Sequence, residues 1–404
     1  MIKIAVLGYG TVGSGVVEVI ERNNAEVSRR AGEKISVKYI LDLRDFPGDP
    51  YEDRVVHDFN VILEDPEISI LCEVMGGTGA AYQFTKKALE SGKSVCTSNK
   101  ELVAKHGAEL HAIAVKMHCN YMFEASVGGG IPIIRTINNA LTADRIKKVT
   151  GILNGTTNYI LTKMEREGAD YADVLKQAQE LGYAERNPEA DVAGLDAGRK
   201  IAILASLLTG KTVDSDKLSI EGITEISGAD FAYAKAADRT IKLLADCEIQ
   251  EDGSVFARVA PFMLSKSHPL AGVDDVFNGV RVRGNMLGDA LFCGQGAGKL
   301  PTASAVAADV VDCARNQGRT VMDGWDSEEA ELVQAAETEA RFFVRIVPSE
   351  QETLEAVFPG SSSITVPDRS EDLGFFTRAM KEKEFQDGCG RLGGAVLSWI
   401  RLAE

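Results

Sequence analysis

Several features that mark specialised classes of protein are missing from this sequence. Its 404 residues contain no apolar run near the length of a membrane span, and the densest one covers only residues 201–208. The chain enters a strand-like run directly after Met1-Ile2-Lys3, so we expect no signal peptide. These absences predict a cytoplasmic protein without a membrane partner.

Basic charge, histidine and paired cysteine are also scarce. The 44 lysines and arginines face 60 acidic residues, for a net charge of −16, and no basic block interrupts the chain. This balance argues against a nucleic-acid partner. The five histidines lack zinc-ligand spacing, and the seven scattered cysteines are typical of reduced thiols rather than of a disulfide framework.

What the sequence does contain is an ordinary globular composition with an α/β pattern. Hydrophobic residues make up 45% and charged residues 26%, and the length suffices for two or three domains. Short apolar runs alternate with helical patterns in the first third, which predicts an N-terminal doubly wound parallel sheet of the Rossmann type. The predicted strands are Ile4–Leu7, Val37–Leu41, Ile68–Cys72, Ser94–Thr97 and Asn120–Phe123.

The pattern changes after Glu124 and again near residue 316. Long helices up to residue 210 and short strands between 220 and 290 predict an α+β domain. The prediction is a dinucleotide-binding domain over 1–125 with helix 302–315 returning to it, a second domain over 126–300, a linker over 316–340 and a separate small unit over 341–404.

Residues 8–13 form a glycine-rich loop, Gly8-Tyr9-Gly10-Thr11-Val12-Gly13, between a predicted strand and a predicted helix. The glycines would serve a tight turn, close approach to a pyrophosphate and close helix–strand packing, and the helix N-terminus favours the phosphates. Asp42 would favour NAD and Arg44 would favour NADP, and either could equally be a surface charge.

Two further segments place charged residues where chemistry is expected. Lys100 follows a predicted strand at the carboxyl edge of the sheet, where doubly wound folds bind ligands. Asp196 and Lys200 are four residues apart on a helix predicted to start near Ala193 with Asp191 as its N-cap. An exposed ion pair is the common interpretation of this spacing. The apolar run 201–208 favours a buried pair instead.

Taken together, these motifs resemble those of homoserine dehydrogenase over roughly residues 1–315. The segments that carry the resemblance occur in family order, and they are Gly8–Gly13, Thr97–Lys100, Glu124–Ile133, Asn154–Ile160, Gly182–Glu185, Asp191–Lys200 and Gly294–Ala305. The resemblance implies reversible NAD(P)H-dependent reduction of L-aspartate 4-semialdehyde to L-homoserine, in the branch toward threonine and methionine. It also implies that residues 126–300 serve substrate binding and dimerisation.

The resemblance assigns roles to individual residues by matching position. Lys200 looks like the proton donor and acceptor, with Asp196 beside it, and an ammonium at hydrogen-bond distance can neutralise the alkoxide that hydride transfer produces. Substrate binding falls to Glu185, Asp191 and Asp196; cofactor binding to Gly8, Gly10, Thr11, Val12, Gly13, Lys100, Gly182 and Gly296; and a sodium or potassium site, mostly of backbone carbonyls, to Glu124, Val127, Gly129 and Ile131. A homodimer or homotetramer is implied.

The C-terminal unit departs from the family. Longer members end in a regulatory ACT domain of βαββαβ order, and residues 341–404 follow that order. The usual D-x-P-G turn after the first strand is replaced by Pro348-Ser349-Glu350-Gln351, which favours a helix start. We therefore expect a degenerate ACT-like unit in which threonine inhibits weakly or not at all.

Two alternative functions compete with this prediction. One is a related dehydrogenase of another amino acid, which Glu185, Asp196 and Lys200 argue against. The other is a catalytically inactive dinucleotide sensor, in which the face carrying Lys200 would be eroded, whereas here it is intact.

Overall fold

The described part of the chain, residues 1–367 and 369–403 of a computed structural model, alternates strands and helices at first and then becomes rich in long strands. The strands are β1 (Ile2–Leu7), β2 (Ile35–Leu41), β3 (Val55–Val56), β4 (Ile68–Glu73), β5 (Ser94–Thr97), β6 (Tyr121–Met122), β7 (Ile146–Ile152), β8 (Ser219–Ile220), β9 (Arg239–Ile249), β10 (Val255–Ser265), β11 (Phe277–Gly284), β12 (Gly288–Gln295), β13 (Glu339–Ala340), β14 (Phe342–Ile346), β15 (Ser362–Ile364), β16 (Leu373–Phe376), β17 (Met380–Lys381) and β18 (Val396–Ala403). The helices are α1 (Thr11–Arg22), α2 (Asn24–Ala31), α3 (Phe59–Leu63), α4 (Gly79–Glu90), α5 (Lys100–Lys116), α6 (Ile133–Arg135), α7 (Gly155–Glu167), α8 (Tyr171–Glu180), α9 (Glu189–Val192), α10 (Leu195–Thr209), α11 (Gly228–Ala236), α12 (Lys299–Arg315), α13 (Gln351–Val357) and α14 (Glu382–Leu392). Within the described residues, no helix combines the length and the apolar character that crossing a bilayer requires.

The predicted parallel Rossmann sheet is confirmed. Its six strands run in the order β3-β2-β1-β4-β5-β6, and every neighbouring pair is parallel. The strand order reverses between β1 and β4, so the carboxyl ends of these two strands flank the crevice where such sheets bind ligands. The sheet thereby places the glycine-rich loop after β1 next to whatever follows β4.

This sheet belongs to the first of two compact units, which comprises residues 1–145, 202–215 and 294–330. Helix α12 lies in this unit and packs against α1. A Cβ built on Gly15 of α1 would lie 2.8 Å from the carbonyl oxygen of Lys299, so the missing side chain lets the two helices approach closely.

The second unit comprises residues 146–201, 216–293 and 331 onward, and it is built on a ten-stranded mixed sheet. Nine strands follow the order β12-β11-β7-β9-β10-β18-β14-β16-β15, and β8 pairs with β10. A separate two-stranded ladder joins β13 to β17. The α+β character expected for this part of the chain is present.

The strands between 220 and 290 are longer than the sequence suggested. β9 and β10 have 11 residues each and pair along their whole length, from Arg239 opposite Ser265 to Ile249 opposite Val255. Pro261 lies inside β10, opposite Leu243. The expectation of short strands was wrong because β9 and β10 stabilise each other along an unbroken ladder, which continues even past Pro261.

The C-terminal residues follow the expected βαββαβ order, in strands β14, β15, β16 and β18 with helices α13 and α14. They do not form a sheet of their own, because β18 pairs in parallel with β10 through Phe262 and Arg401. The expected helix start at the altered turn is confirmed, since a short 3-10 helix covers Pro348–Glu350 and leads into α13. The domain limits and the ACT-like identity of 341–404 stay predictions.

Candidate functional site

The glycine-rich loop has the shape that a dinucleotide pyrophosphate requires. Gly8 has a φ of +97°, and a Cβ built on Gly13 would lie 1.9 Å from the carbonyl oxygen of Gly8. A Cβ built on Gly10 would meet nothing within 4 Å, and α1 begins at the next residue, Thr11. Gly8 and Gly13 are therefore required by the turn itself, while Gly10 leaves open space at a helix N-terminus, where phosphate oxygens can approach the backbone.

The two residues proposed to read the ribose, Asp42 and Arg44, form an ion pair beside this loop. The carboxylate of Asp42 accepts hydrogen bonds from the backbone N–H of Tyr9 at 2.8 Å and from Nε of Arg44 at 3.0 Å. The bonds from Arg44 are the main reason that the pKa of Asp42 lies well below its usual range. Both residues proposed to read the ribose therefore lie beside the glycine-rich loop.

Asn99, which precedes the predicted cofactor residue Lys100, makes the hydrogen bonds that hold the segment after β5 in place. Asn99 accepts the N–H of Leu102 through its side chain and so caps α5, of which Lys100 is the first residue. The Nδ2 of Asn99 donates to the carbonyl oxygen of Gly77 at 2.7 Å, in the turn after β4. The cap fixes where Lys100 leaves the sheet edge.

The proposed cation loop packs against the second glycine-rich segment. A Cβ built on Gly129, whose φ is +54°, would lie 2.3 Å from the carbonyl oxygen of Gly296. The N–H of Gly130 donates to the carbonyl oxygen of Gln295 at 3.0 Å. Gly129 and Gly296, which were assigned to different sites, are therefore neighbours in the first unit.

The carboxylate of Glu124, another residue of the proposed cation loop, accepts two backbone hydrogen bonds. Its two oxygens accept the N–H groups of Ile134 at 2.9 Å and Arg135 at 2.6 Å, at the start of α6. Burial raises the pKa of Glu124 to about 6. No group of three or more histidine, cysteine, aspartate or glutamate side chains within the described residues could hold a metal ion. A cation at this loop would therefore have main-chain carbonyls as most of its ligands.

In the second unit, the predicted pair Asp196–Lys200 is formed and buried. Nζ of Lys200 donates to Oδ2 of Asp196 and to the carbonyl oxygen of Leu153, both at 2.7 Å. Asp196 is 3% exposed and Lys200 is 8% exposed. The burial favours the interpretation of this spacing as a buried pair over that of an ordinary surface ion pair.

Asn154 is a site residue that sequence reasoning missed. Its Oδ1 accepts the N–H of Thr157 and caps α7, and its Nδ2 donates to Asp191 at 2.7 Å and to Asp196 at 3.0 Å. One amide therefore joins the two carboxylates of the predicted substrate site. The segment Asn154–Ile160 could have revealed it, because asparagine is a preferred helix N-cap, but only the fold places Asp191 and Asp196 within its reach.

Other predicted residues of this unit lie differently from expectation. The helix starts at Leu195, two residues after Ala193, and Asp191 lies inside the short helix α9. The N-cap prediction for Asp191 was wrong because Gly194, with a φ of +84°, separates the two helices. Gly182 and Glu185 follow α8 and are exposed, whereas Asp196 and Lys200 are buried.

Comparison with known proteins shows similarity to homoserine dehydrogenases in both units. The family model for homoserine dehydrogenase matches residues 132–311, and the model for the homoserine dehydrogenase NAD-binding domain matches residues 8–124. Homoserine dehydrogenase of Bacillus subtilis (strain 168) is 42% identical over 323 residues, which cover 78% of this chain and 73% of that protein.

Solved structures of homoserine dehydrogenases are also similar to this chain. The crystal structure of a homoserine dehydrogenase from Thiobacillus denitrificans superimposes with a TM-score of 0.91 at 33% identity, covering 100% of this chain and 98% of that one. A hyperthermophilic archaeal homoserine dehydrogenase in complex with NADPH has a TM-score of 0.66 at 29% identity, covering 77% of this chain and 97% of that one.

Proposed function

This chain belongs to the homoserine dehydrogenase family and is an NAD(P)-dependent oxidoreductase, and on that basis we propose that Lys200 is its proton donor and acceptor. The proposed reaction is the reversible reduction of L-aspartate 4-semialdehyde to L-homoserine. Bound nicotinamide would supply or accept the hydride. Nζ of Lys200 would give a proton to the substrate oxygen in reduction and take it back in oxidation.

The observation that carries this proposal is the burial of the Asp196–Lys200 pair. Withdrawing two charges from water costs several kcal/mol per ion, which a surface ion pair avoids. Asp196 and the Leu153 carbonyl give the ammonium fixed acceptors at 2.7 Å. A neighbouring carboxylate favours the protonated form of a lysine. An ammonium group that is also held in place can then serve as a general acid at neutral pH.

We assign substrate binding to the carboxylates around this pair. Homoserine is a zwitterion, and its ammonium group requires an anionic partner. Asp191 and Asp196 are held together by the Asn154 amide. Asp191 is therefore a proposed partner of the substrate ammonium, as is Glu185 on the family resemblance of its segment, while Asp196 also holds Lys200. The cofactor residues remain those of the two glycine-rich loops together with Lys100 and Gly182.

This assignment is tested with a substrate that lacks the ammonium group. We expect kcat/KM for 4-hydroxybutanoate to lie roughly 10–100-fold below that for homoserine, because the analogue cannot make the charged hydrogen bonds that the substrate ammonium would make with these carboxylates. Steady-state rates at saturating cofactor would measure the ratio. Equal efficiency with both alcohols would contradict the assignment, and no turnover of either alcohol despite cofactor binding would favour the inactive sensor.

We also propose that sodium or potassium supports activity at the loop of Glu124, Val127, Gly129 and Ile131. One carboxylate together with several carbonyl oxygens suits a hard, weakly charged cation better than it suits zinc or copper. Replacing both ions with a bulky organic cation at constant ionic strength should lower kcat severalfold and leave the circular dichroism spectrum unchanged. A rate that stays flat after this replacement would count against the site.

The C-terminal residues give a prediction about regulation. Because the turn after β14 is replaced by a helix start, we expect threonine to inhibit weakly or not at all. Deleting residues 341–404 removes β18 from its place beside β10, so it should lower the melting temperature or change the oligomer, which we propose to be a homodimer or homotetramer. Cofactor binding should survive. Strong threonine inhibition that this deletion abolishes would contradict the prediction.

Finally, we propose that the protein acts in the cytoplasm. All seven cysteines are free thiols, and five of them are buried. Such usage suits a reducing compartment.

A further inference from the structure

Glu73, at the carboxyl end of the central strand β4, is buried without a cationic partner among the described residues. Glu73 is the last residue of β4 and is 0% exposed. No basic side chain within the described residues forms an ion pair with it. A buried carboxylate without a cation is costly, and proteins commonly accept this cost where a ligand or a reaction requires it.

The hydrogen bonds of Glu73 connect the turn after β4 with the end of β5. Oε1 accepts the backbone N–H of Met75 at 2.8 Å, in the turn after β4, and Oε2 accepts the hydroxyl of Thr97 at 2.6 Å, at the end of β5. The Thr97 oxygen in turn accepts the N–H of Asn99 at 2.9 Å. Since Asn99 also bonds Gly77 and caps α5, one carboxylate anchors both the turn and the helix start.

The turn that Glu73 holds lies against the phosphate-binding loop. A Cβ built on Gly8 would lie 3.0 Å from Cγ of Met75, and one built on Gly13 would lie 3.3 Å from Cγ2 of Val74. A shift of this turn would therefore be transmitted to both glycines. β4 also flanks the crevice at which the strand order reverses, where such sheets bind dinucleotides.

We propose that Glu73 is a positioning residue for the cofactor, which holds the turn 74–77 and the start of α5 in the conformation that binds NAD(P). The inference rests on the NAD(P)-dependent function proposed above. It does not require Glu73 to touch the cofactor. The carboxylate acts through Met75, Thr97 and Asn99.

The charge state of Glu73 makes the stability of the protein depend on pH, so stability can be followed separately from cofactor binding. Burial raises the pKa of Glu73 to about 7, against the opposing effect of its bonds from Thr97 and Met75. The buried hydroxyl of Tyr121 on β6 is the titratable group affected by this charge, and burial raises the pKa of Tyr121 well above its usual value, so it stays neutral. Because the folded-state pKa of Glu73 exceeds the unfolded value, ionising Glu73 lowers the free energy of unfolding as pH rises toward 7.

The test uses two variants and a matched control in the intact protein. Glu73→Gln removes the charge, and Thr97→Val removes the hydroxyl that joins Glu73 to Asn99. Thr85→Val is the control, because Thr85 is another buried threonine of the first unit whose hydroxyl has no partner within the described residues. Fluorescence titration with NADPH and NADH gives Kd without substrate, and thermal melts at pH values above and below 7 give stability.

We expect Glu73→Gln and Thr97→Val to raise the cofactor Kd about tenfold, as for loss of a hydrogen bond to a charged group, with kcat at saturating cofactor little changed. Above pH 7, Glu73→Gln should melt no lower than the wild type, because it removes a buried charge. Thr85→Val should match the wild type.

An unchanged cofactor Kd in both variants would overturn the inference, whether or not their melting temperatures fall. If Glu73→Gln does not fold, Thr97→Val decides alone. Wild-type protein that binds neither cofactor would instead refute the proposed function, so the two failures are distinguishable.

Discussion

Lys200→Ala should lower kcat for homoserine oxidation by roughly 10²–10⁴, the range typical of a lost general acid–base group. Lys200 is not among the residues assigned to the cofactor, so the cofactor Kd should stay nearly constant. In the wild type, homoserine oxidation should accelerate with rising pH, because Lys200 must then accept a proton. The variant should have lost this dependence.

Lys163→Ala is the matched control for this experiment. Lys163 lies on α7 in the same unit and pairs with Glu167 four residues away, at the surface. Such a pair stabilises the folded protein by only about 0.3–0.5 kcal/mol. Because Lys163 has no proposed role in catalysis, this variant should retain wild-type kcat. A Lys200→Ala protein that keeps most of its activity would remove Lys200 from the mechanism.

The second large effect is expected in the glycine-rich loop, where Gly13→Ala and Gly10→Ala should separate stability from binding. The Cβ that Gly13→Ala introduces would lie 1.9 Å from the Gly8 oxygen, so this substitution must displace the turn. We expect a loss of about 1–3 kcal/mol in the free energy of unfolding, as for an overpacked site, and cofactor affinity at least about 100-fold weaker.

Gly10→Ala should behave differently, because its Cβ would enter open space. The melting temperature should match the wild type, while the cofactor Kd should rise at least about tenfold, since the methyl group occupies the space proposed for the pyrophosphate. Titration calorimetry with NADPH and NADH would measure both variants. Normal cofactor affinity in Gly10→Ala would show that the phosphates bind elsewhere.

The features that could be predicted from the sequence are those encoded within short stretches of chain. The alternation of strands and helices fixes the parallel sheet, and the spacing of Gly8, Gly10 and Gly13 is a local pattern with a local geometry. The Asp196–Lys200 pair is likewise set by helical periodicity, and its burial follows from the apolar run 201–208.

The features that could not be predicted depend on contacts between distant segments. Asn154 meets Asp191 and Asp196 only after α7, α9 and α10 are folded together, about 40 residues apart in the chain. Glu73 ends an otherwise apolar strand, and its partner Thr97 belongs to the neighbouring strand. The continuity of β10 through Pro261 depends in the same way on its pairing with β9, which no local pattern of β10 contains.

The most direct test of this account is homoserine oxidation by the purified wild-type protein, with NAD and NADP compared side by side. The account predicts homoserine-dependent formation of reduced nicotinamide with at least one of the two cofactors. An equal amount of aspartate 4-semialdehyde should be trapped as its hydrazone and identified by mass spectrometry. Binding of either cofactor without any homoserine-dependent reduction would contradict the account.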